Sequence, residues 1–272
     1  MVEFKYIIFK VIFMKFFDCY AHLGLVASDS ISLLRLVQEA KRGGVTHIVN
    51  ISNNLQELAR VREMADSFVS VFYAAGFAPS EANTLPSNWL AEMEKISETK
   101  KVLAIGATGL DYSQGTQNKN SQIELFIKQL DLARKKQKPV IVYNRNADDD
   151  VKEILRANTP DAGVIFHCYS GTAEYALSLL KQFKVPTFFS FAGNLTFRNS
   201  RDLHKTILRI PLDRILVETS SPFLSPSIFT GSKNMPVNIF ATVEFISEVL
   251  DMDFEVCAKK IYENSLRAFY LK

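Results

Sequence analysis

Residues 121–145 read SQIELFIKQLDLARKKQKPVIVYNR, a helical pattern followed directly by a short apolar run. The apolar side chains of the first part recur at i, i+3, i+4, i+7 and i+10, namely Ile123, Phe126, Ile127, Leu130 and Ala133. This spacing predicts an amphipathic helix over 121–137 with one apolar stripe facing a core. The run at 139–143 shows little alternation, as is typical of a parallel strand that is covered on both faces. The stretch therefore predicts one helix-strand unit of an α/β protein.

The same unit recurs along the chain in both directions. Eight short runs rich in Val, Ile, Phe and Tyr lie near 16–20, 46–51, 70–76, 102–106, 139–143, 163–167, 186–191 and 214–218. Further helical stripes lie between them, at 31–42, 55–67, 172–184 and 236–250. Eight strands that alternate with helices predict the α/β class and a (β/α)8 TIM barrel, for which 272 residues is a suitable length. Because no linker or low-complexity stretch interrupts the pattern, we expect a single domain over 14–272.

Composition restricts the class of function only weakly. Hydrophobic residues make up 47% of the chain and charged residues 22%, which favours a large core over disorder. A net charge of +3 is too small to indicate a nucleic-acid or membrane partner by itself. The densest basic run, at 134–138, ends a predicted helix, where cations interact favourably with the helix dipole. Three cysteines at unrelated spacings are typical of a reducing compartment, so we expect a cytoplasmic protein.

The first seventeen residues, MVEFKYIIFKVIFMKFF, are apolar enough to suggest an export signal. However, Lys5, Lys10 and Lys15 interrupt the run, and no small-residue cleavage site follows. A membrane-spanning helix needs about 20 predominantly apolar residues, so we expect no membrane partner. We interpret residues 1–13 as an N-terminal extension of the domain.

Five segments with polar or small residues stand at the ends of predicted strands. They are Asp18-Cys-Tyr-Ala-His22-Leu23, Ala104-Ile-Gly-Ala-Thr-Gly-Leu-Asp111-Tyr112, Pro139-Val-Ile-Val-Tyr143-Asn-Arg145, Phe166-His-Cys-Tyr-Ser-Gly171 and Leu216-Val-Glu-Thr-Ser-Ser-Pro222. In a (β/α)8 barrel these ends converge on one mouth, where sites are built from several strands. Together the segments resemble the TatD family of metal-dependent hydrolases and deoxyribonucleases, which have amidohydrolase-like barrels. The resemblance extends from Met14 to Leu271.

The resemblance implies two divalent metals, such as Zn, Mn or Mg, and six ligand positions at the mouth. His22 and His167 keep the family's histidines. The other four positions are replaced: two histidines by Tyr20 and Tyr143, the bridging glutamate by Ala107, and the last aspartate by Ser220. This chain is thus similar to a divergent member of the family with most of its metal ligands replaced.

Several ligands must act together to hold a catalytic metal, and typical sites use three from the protein. We therefore expect no metal cofactor, a degenerate metal site, and a pseudoenzyme that acts as a binding or interaction protein with no assigned catalytic residue. One alternative is an active deoxyribonuclease or phosphoesterase with a rebuilt one-metal site. Another is metal-free chemistry from Tyr20, Tyr143, His167 and Ser220.

Arg145 is the candidate for anion binding, because a guanidinium can hold a phosphate or carboxylate through two hydrogen bonds. The competing interpretation is an ion pair with Glu218 or Asp111, which together with Asp18 are the other acidic residues at the mouth. If Arg145 binds an anion, the partner is a phosphate-containing ligand or nucleic acid.

His22, His167, Cys19 and Cys168 also have structural interpretations. A lone histidine at a barrel mouth is commonly a hydrogen-bonded structural residue. Cys168 follows His167 directly, and adjacent strand residues point to opposite faces, which argues against a Cys/His nucleophilic pair. We expect inert buried thiols at both cysteine positions.

Overall fold

The computed structural model describes residues 14–52 and 54–272, and its centre is one eight-stranded parallel sheet. Neighbouring strands follow sequence order from β1 to β8. Their bounds are β1 Phe16–Ala21, β2 Val45–Ile51, β3 Val71–Ala75, β4 Val102–Asp111, β5 Val140–Arg145, β6 Val164–Phe166, β7 Thr187–Phe191 and β8 Ile215–Val217. The predicted (β/α)8 barrel is confirmed.

Helices connect successive strands and surround the sheet. Within the described residues the α-helices are α1 Leu23–Val26, α2 Ser30–Arg42, α3 Leu55–Ser67, α4 Trp89–Ile96, α5 Lys119–Lys136, α6 Asp148–Asn158, α7 Ala173–Gln182, α8 Arg201–Ile207, α9 Ile239–Val249 and α10 Phe254–Ala268. Short 3-10 turns cover Pro79–Glu81, Gly193–Thr196, Leu212–Arg214, Ser227–Phe229 and Pro236–Asn238. None of the described helices is long and apolar enough to cross a membrane. The predicted extension at 1–13 lies outside the described residues.

The strand positions agree closely with the sequence prediction, and β4 is the main exception. The apolar run suggested an end near residue 106, whereas β4 continues to Asp111 and pairs there with Arg145 of β5. The small residues between 106 and 109 are therefore part of the strand. At Gly109, where φ is +143°, a Cβ atom would collide with the carbonyl of Tyr143, so this close approach of β4 to β5 requires glycine.

The barrel closes through the segment that follows β8. The backbone N–H of Ser220 donates to the carbonyl of Tyr20 at 2.8 Å, and that of His22 donates to the carbonyl of Ser221 at 2.9 Å. The fully buried carboxylate of Asp18 reinforces this seam by accepting from the Thr219 backbone N–H at 2.8 Å and from its hydroxyl at 2.5 Å. Asp18 thus binds across the junction of the first and last strands.

The apolar stripe of α5 is rotated relative to the prediction. Phe126, Leu130 and Ala133 are buried as expected, but Ile123 and Ile127 are only half-buried. Gln122 and Gln129 take core-facing positions instead. A polar side chain is tolerated there because its amide groups pair with backbone groups that would otherwise be buried without partners.

Each of these two amides pairs with one backbone unit of a strand end. The carbonyl of Gln129 accepts from the Phe77 N–H at 2.8 Å, and its amide donates to the Phe77 carbonyl at 3.0 Å and to the Thr108 hydroxyl at 2.6 Å. Gln122 forms the same reciprocal pair with the backbone of Asp111, at 2.9 and 3.0 Å. Helix α5 thus holds the residue just beyond β3 and the end of β4 in place.

Replacing Gln129 should destabilise the barrel strongly. In the variant Gln129→Leu the Phe77 N–H and carbonyl lose their partners in a dry environment, and each unsatisfied group costs about 1–3 kcal/mol. We expect the free energy of unfolding in a denaturant titration to fall by roughly 2–5 kcal/mol. Gln38→Leu on the exposed face of α2 is the matched control and should change it little. Equal stability of the two variants would contradict this role for Gln129.

Asp18 should make stability depend on pH. Burial raises the pKa of this carboxyl from an ordinary value of 3.8 to about 7, so folding disfavours its charged form. The contribution of Asp18 to the free energy of unfolding is therefore largest below pH 3.8, where the carboxyl is protonated in both the folded and the unfolded chain. It falls by roughly 4 kcal/mol as the pH rises to about 7. The unfolding temperature of the native chain should therefore fall between pH 4 and pH 7.5 when it is compared with that of Asp18→Asn, which cannot titrate at this position.

The control for the Asp18 experiment is Asp161→Asn, which removes an exposed carboxyl. Its pH profile should parallel that of the native chain. If Asp18→Asn also follows a parallel profile, the buried carboxyl does not cause the pH dependence.

Candidate functional site at the barrel mouth

Five of the six ligand positions that the resemblance assigns form a tightly buried group at the C-terminal ends of the strands. Tyr20 and His22 lie at the end of β1, Ala107 lies within β4, and Ser220 follows β8, and all four are buried. The side chain of His167, directly after β6, is likewise buried. Tyr143, near the end of β5, is half-buried at the rim. The sequence prediction of a single convergent mouth is therefore met by the geometry.

Aromatic rings occupy the centre of this mouth. The ring of Tyr20 stacks on the imidazole of His167, with centroids 3.6 Å apart and planes inclined by 17°. His22 contacts the same phenol edge-on at 5.2 Å, and Tyr143 lies 5.8 Å from His167. We call Tyr20, His22, Tyr143 and His167 the aromatic cluster. Tyr20 is 3% exposed, so its ring fills space beside His167 and leaves little room there.

The titration properties of the cluster follow from its burial. Burial raises the pKa of Tyr20 well above its usual value, and the nearby carboxylate of Glu218 raises it further. Burial lowers the pKa of His22 from 6.5 to about 4, and the neighbouring His167 contributes to the decrease. At neutral pH the phenol and this imidazole are thus uncharged, which suits a stacked and poorly hydrated arrangement.

His167 has a buried carboxylate as its neighbour. Its Nδ1 lies 2.7 Å from Oε1 of Glu218, and the two side chains are 8% and 1% exposed. The contact has the distance of an ion pair but lacks hydrogen-bond geometry, since neither atom has a hydrogen-bond partner among the described residues. The other oxygen of Glu218 accepts from the backbone N–H of Cys168 at 3.2 Å. Glu218 therefore faces His167, which makes it unavailable to Arg145.

Arg145 lies exposed on the rim and forms no ion pair with a carboxylate in the described part of the chain. Of its two predicted partners, Glu218 contacts His167, and Asp111 accepts from the backbone N–H of Ser113 at 2.8 Å. A hydrogen bond with Tyr143, together with the charge of Asp111, raises the pKa of Arg145. The guanidinium is thus permanently charged, and no carboxylate of the described residues forms an ion pair with it.

The two thiols near the mouth are poorly suited to nucleophilic chemistry. The Sγ of Cys19 is buried and donates to the Ser265 hydroxyl at 3.5 Å. Burial raises the pKa of both thiols well above the usual range, and the charge of Glu218 adds to the effect. Because the thiolate is the reactive form, these values support the interpretation of inert cysteines.

Two clefts open beside the aromatic cluster. One has a volume of about 330 Å³, including the part open to solvent, and is lined by His22, Leu25, Ile51 and Val61 with charged residues at its edge. The other has a volume of about 530 Å³ on the same measure. We call it the β5–β6 cleft, and it is lined by Asn144, Arg145, Asn146, Asp148, His167 and Ser170.

Sequence reasoning gave no role to two asparagines that organise the mouth. Nδ2 of Asn144 donates to the Asp148 carboxylate at 2.8 Å. Nδ2 of Asn234 donates to the carbonyls of Thr219 at 2.8 Å and Phe223 at 3.0 Å, and this holds the loop that contains Ser220. Asn144 stands inside the recognised segment 139–145, so its position was an available signal. The partners of both amides, however, depend on the tertiary fold.

The side chains at the mouth do not reproduce the donor set of a two-metal site. Ala107 has no donor atom, and Ser220 has a hydroxyl where the family's pattern has a carboxylate. Among residues 14–52 and 54–272, no three or more His, Cys, Asp and Glu side chains are grouped so that they could hold a metal ion. The residues present therefore do not fit the pair of metals that the resemblance implies.

Solved structures with the same fold support the barrel assignment. The crystal structure of YJJV, a TatD homolog from Escherichia coli K12, superposes with a TM-score of 0.87 at 23% identity and covers 94% of this chain and 98% of its own. A TatD family hydrolase from Entamoeba histolytica gives a TM-score of 0.83 at 20% identity, with 95% and 99% covered. At these identities the likeness establishes the fold.

Similar curated sequences correct the expectation about cofactors. YabD of Bacillus subtilis strain 168, named a metal-dependent hydrolase, is 35% identical over 254 residues, 93% of this chain and 98% of YabD. TatD of Mycobacterium tuberculosis H37Rv, also named a metal-dependent hydrolase, is 31% identical over 260 residues, 93% and 97% of the two chains. The prediction of no metal cofactor is therefore wrong, because relatives of this kind imply a divalent metal.

The sequence model of the family described as TatD related DNase matches residues 17–270. This range includes every segment that carried the resemblance, from Asp18 to Pro222, as well as the closing helix α10. The 35% identity to YabD, which extends over 93% of this chain, agrees with the match. The chain belongs to the TatD family.

Proposed function

We propose that this TatD-family barrel acts as a ligand-binding or interaction protein, a pseudoenzyme in the family's hydrolytic chemistry. The observation that carries the proposal is the stack of Tyr20 on His167 at 3.6 Å. A buried aromatic ring lies against the one strand-six histidine that this chain retains. The ring is held from the other side by the edge contact with His22.

The replaced residues support the same conclusion on chemical grounds. A divalent ion supplies hydrolysis with a polarised phosphoryl oxygen and an acidified water, and carboxylates hold it and accept the proton. Ala107 and Ser220 provide neither function. Asp18 cannot substitute as the base, because both its oxygens accept hydrogen bonds from Thr219 in the barrel seam. Glu218 keeps one oxygen without a hydrogen bond in the described residues, but that oxygen lies buried at 2.7 Å from Nδ1 of His167.

Arg145 supports binding at the rim. Its guanidinium is exposed, beside the β5–β6 cleft, and without a carboxylate partner in the described residues. A planar donor of this kind suits a phosphate-containing ligand, nucleic acid included. We further propose a cytoplasmic location, which the three free thiols of Cys19, Cys168 and Cys257 support.

A second candidate function is a metal-dependent phosphoesterase with a rebuilt one-metal site. The names of the curated relatives favour it. The donors that remain at the mouth are His22, His167 and Glu218, of which the last two are in contact. This candidate requires Tyr20 to leave its stacked position, since the ring now covers His167.

Hydrolysis assays distinguish the two candidates. With Mg²⁺, Mn²⁺ or Zn²⁺ supplied, the native chain should cleave single-stranded DNA, double-stranded DNA and bis(p-nitrophenyl) phosphate no faster than a protein-free blank. The reason is the missing carboxylate pair at 107 and 220. Metal-stimulated cleavage that disappears in both His167→Ala and His167→Gln, with circular dichroism unchanged, would establish the second candidate instead.

Restoring the ligands is a sharper test of the frame. The combined variant Tyr20→His, Ala107→Glu, Tyr143→His and Ser220→Asp should bind Mn²⁺ or Zn²⁺ at least about tenfold more tightly than the native chain by calorimetry, because it completes a chelate of imidazoles and carboxylates. The matched control is Tyr20→Phe, Ala107→Gln, Tyr143→Phe and Ser220→Asn, which has similar shapes without those donors. Equal metal affinity of the two variants would show that the mouth no longer has the family's geometry.

A further inference from the structure

The β5–β6 cleft is lined by hydrogen-bonding groups of opposite kinds. One is the exposed guanidinium of Arg145, which donates only. Its neighbour Tyr143 shares a hydrogen bond with it, and Asp111 lies near enough to raise its pKa. No carboxylate among the described residues forms an ion pair with it, so its donors remain complementary to an anionic group.

The cleft is also lined by acceptors. Oδ1 of Asn144 is buried and has no hydrogen-bond partner within the described residues. The orientation of this amide is fixed, because its nitrogen donates to Oδ1 of Asp148 at 2.8 Å and a flipped amide would set two acceptors against each other. A buried acceptor without a partner is unfavourable, so a donor from a ligand in the cleft would satisfy it.

Negative charge is concentrated beside that acceptor. Helix α6 begins with Asp148, Asp149 and Asp150. Asp150 is neutralised by Lys119 at 2.6 Å and also accepts from the Tyr112 hydroxyl at 2.7 Å. Neither Asp148 nor Asp149 has an ion-pair partner in the part of the chain that the structure describes. Of these two, Asp148 lines the cleft, and its full charge exceeds the roughly half unit of positive charge at a helix N-terminus, so the cleft favours a cation over a neutral donor at this point.

We infer that the β5–β6 cleft binds a small zwitterion, with its anionic group on Arg145 and its ammonium on Asn144 Oδ1 and the Asp148 carboxylate. The inference rests on the proposed function as a binding protein and names its ligand class. An ammonium offers three donors, enough for both acceptors, whereas the guanidinium takes a carboxylate or phosphate through paired hydrogen bonds. The anion is a carboxylate in an amino acid or a phosphate in a phosphorylated amine. Among the phosphate-containing ligands that suit Arg145, a small one fits this cleft better than a nucleic acid, because Asp148 repels a long polyanion.

Calorimetric titration of the full chain tests the zwitterion. The probes are glycine, β-alanine and 4-aminobutyrate, which separate the charges progressively, and O-phosphoethanolamine, which replaces carboxylate by phosphate. Acetate, inorganic phosphate and ethanolamine carry one half of the chemistry each. At least one zwitterion should bind saturably and about tenfold more tightly than any single-charge probe, because both kinds of group in the cleft are then engaged.

Variants separate the two kinds of group in the cleft. Arg145→Ala and Asp148→Asn should each weaken the best zwitterion about tenfold, through the loss of one charge-assisted contact. The matched controls are Arg35→Ala on α2 and Asp161→Asn, both exposed and distant in sequence, which should leave its affinity unchanged. Circular dichroism checks that every variant folds.

The inference is overturned if no zwitterion binds at millimolar concentration, or if inorganic phosphate or a DNA oligonucleotide binds more tightly than all four. It is also overturned if Asp148→Asn strengthens binding. These outcomes leave the absence of hydrolysis untouched, whereas metal-stimulated hydrolysis that depends on His167 would overturn the proposed function whatever the zwitterions do.

Discussion

The seam between the last and first strands is the contact on which the barrel and its mouth both depend. Asp18 binds Thr219 through two hydrogen bonds in a fully buried position, and Ser220 donates to the backbone of Tyr20 one residue further along. A parallel sheet that did not close here would expose the edges of β1 and β8. The closure also places positions 20 and 220 beside each other, so two of the replaced ligand positions belong to the same hydrogen-bonded junction.

Packed aromatic rings occupy the centre of the mouth. Tyr20, at a position to which the resemblance assigns a histidine, packs its ring against His167 and His22. Such aromatic pairs add about 0.5–1.5 kcal/mol beyond the area they bury, and a neutral phenol avoids the desolvation penalty of a charge. Glu218 remains in this environment, at 2.7 Å from His167. The family implies a divalent metal, while the packing around His167 favours a closed and partly apolar centre.

Side-chain amides hold the elements around this centre. Gln122 forms hydrogen bonds with the backbone at the end of β4, and Gln129 does so with the backbone just beyond β3. Asn234 holds the loop after β8 in the same way. An amide suits this task because it donates and accepts in one plane, as the peptide group does. Asn144 is the exception, since its oxygen is buried without a partner in the described residues. This lack of a partner is why we assign Asn144 to ligand binding and the other three amides to support of the fold.

The sequence by itself determined the barrel, the family and the identity of the side chains at the mouth. Strand and helix periodicity are local properties, and the motifs at 18–23, 104–112, 139–145, 166–171 and 216–222 all stand at strand ends, so their convergence followed from the fold class. The comparison with relatives, by contrast, was needed to correct the expectation about a metal.

Tertiary structure alone decided how those side chains are used. Asp18, Asp111 and Glu218 look equivalent in the sequence, yet one closes the barrel, one caps a turn, and one faces His167. The polar positions of α5 and the unpartnered oxygen of Asn144 were equally hidden. Hydrogen-bond partners and burial depend on residues brought together from distant parts of the chain, and no local pattern in the sequence contains that information.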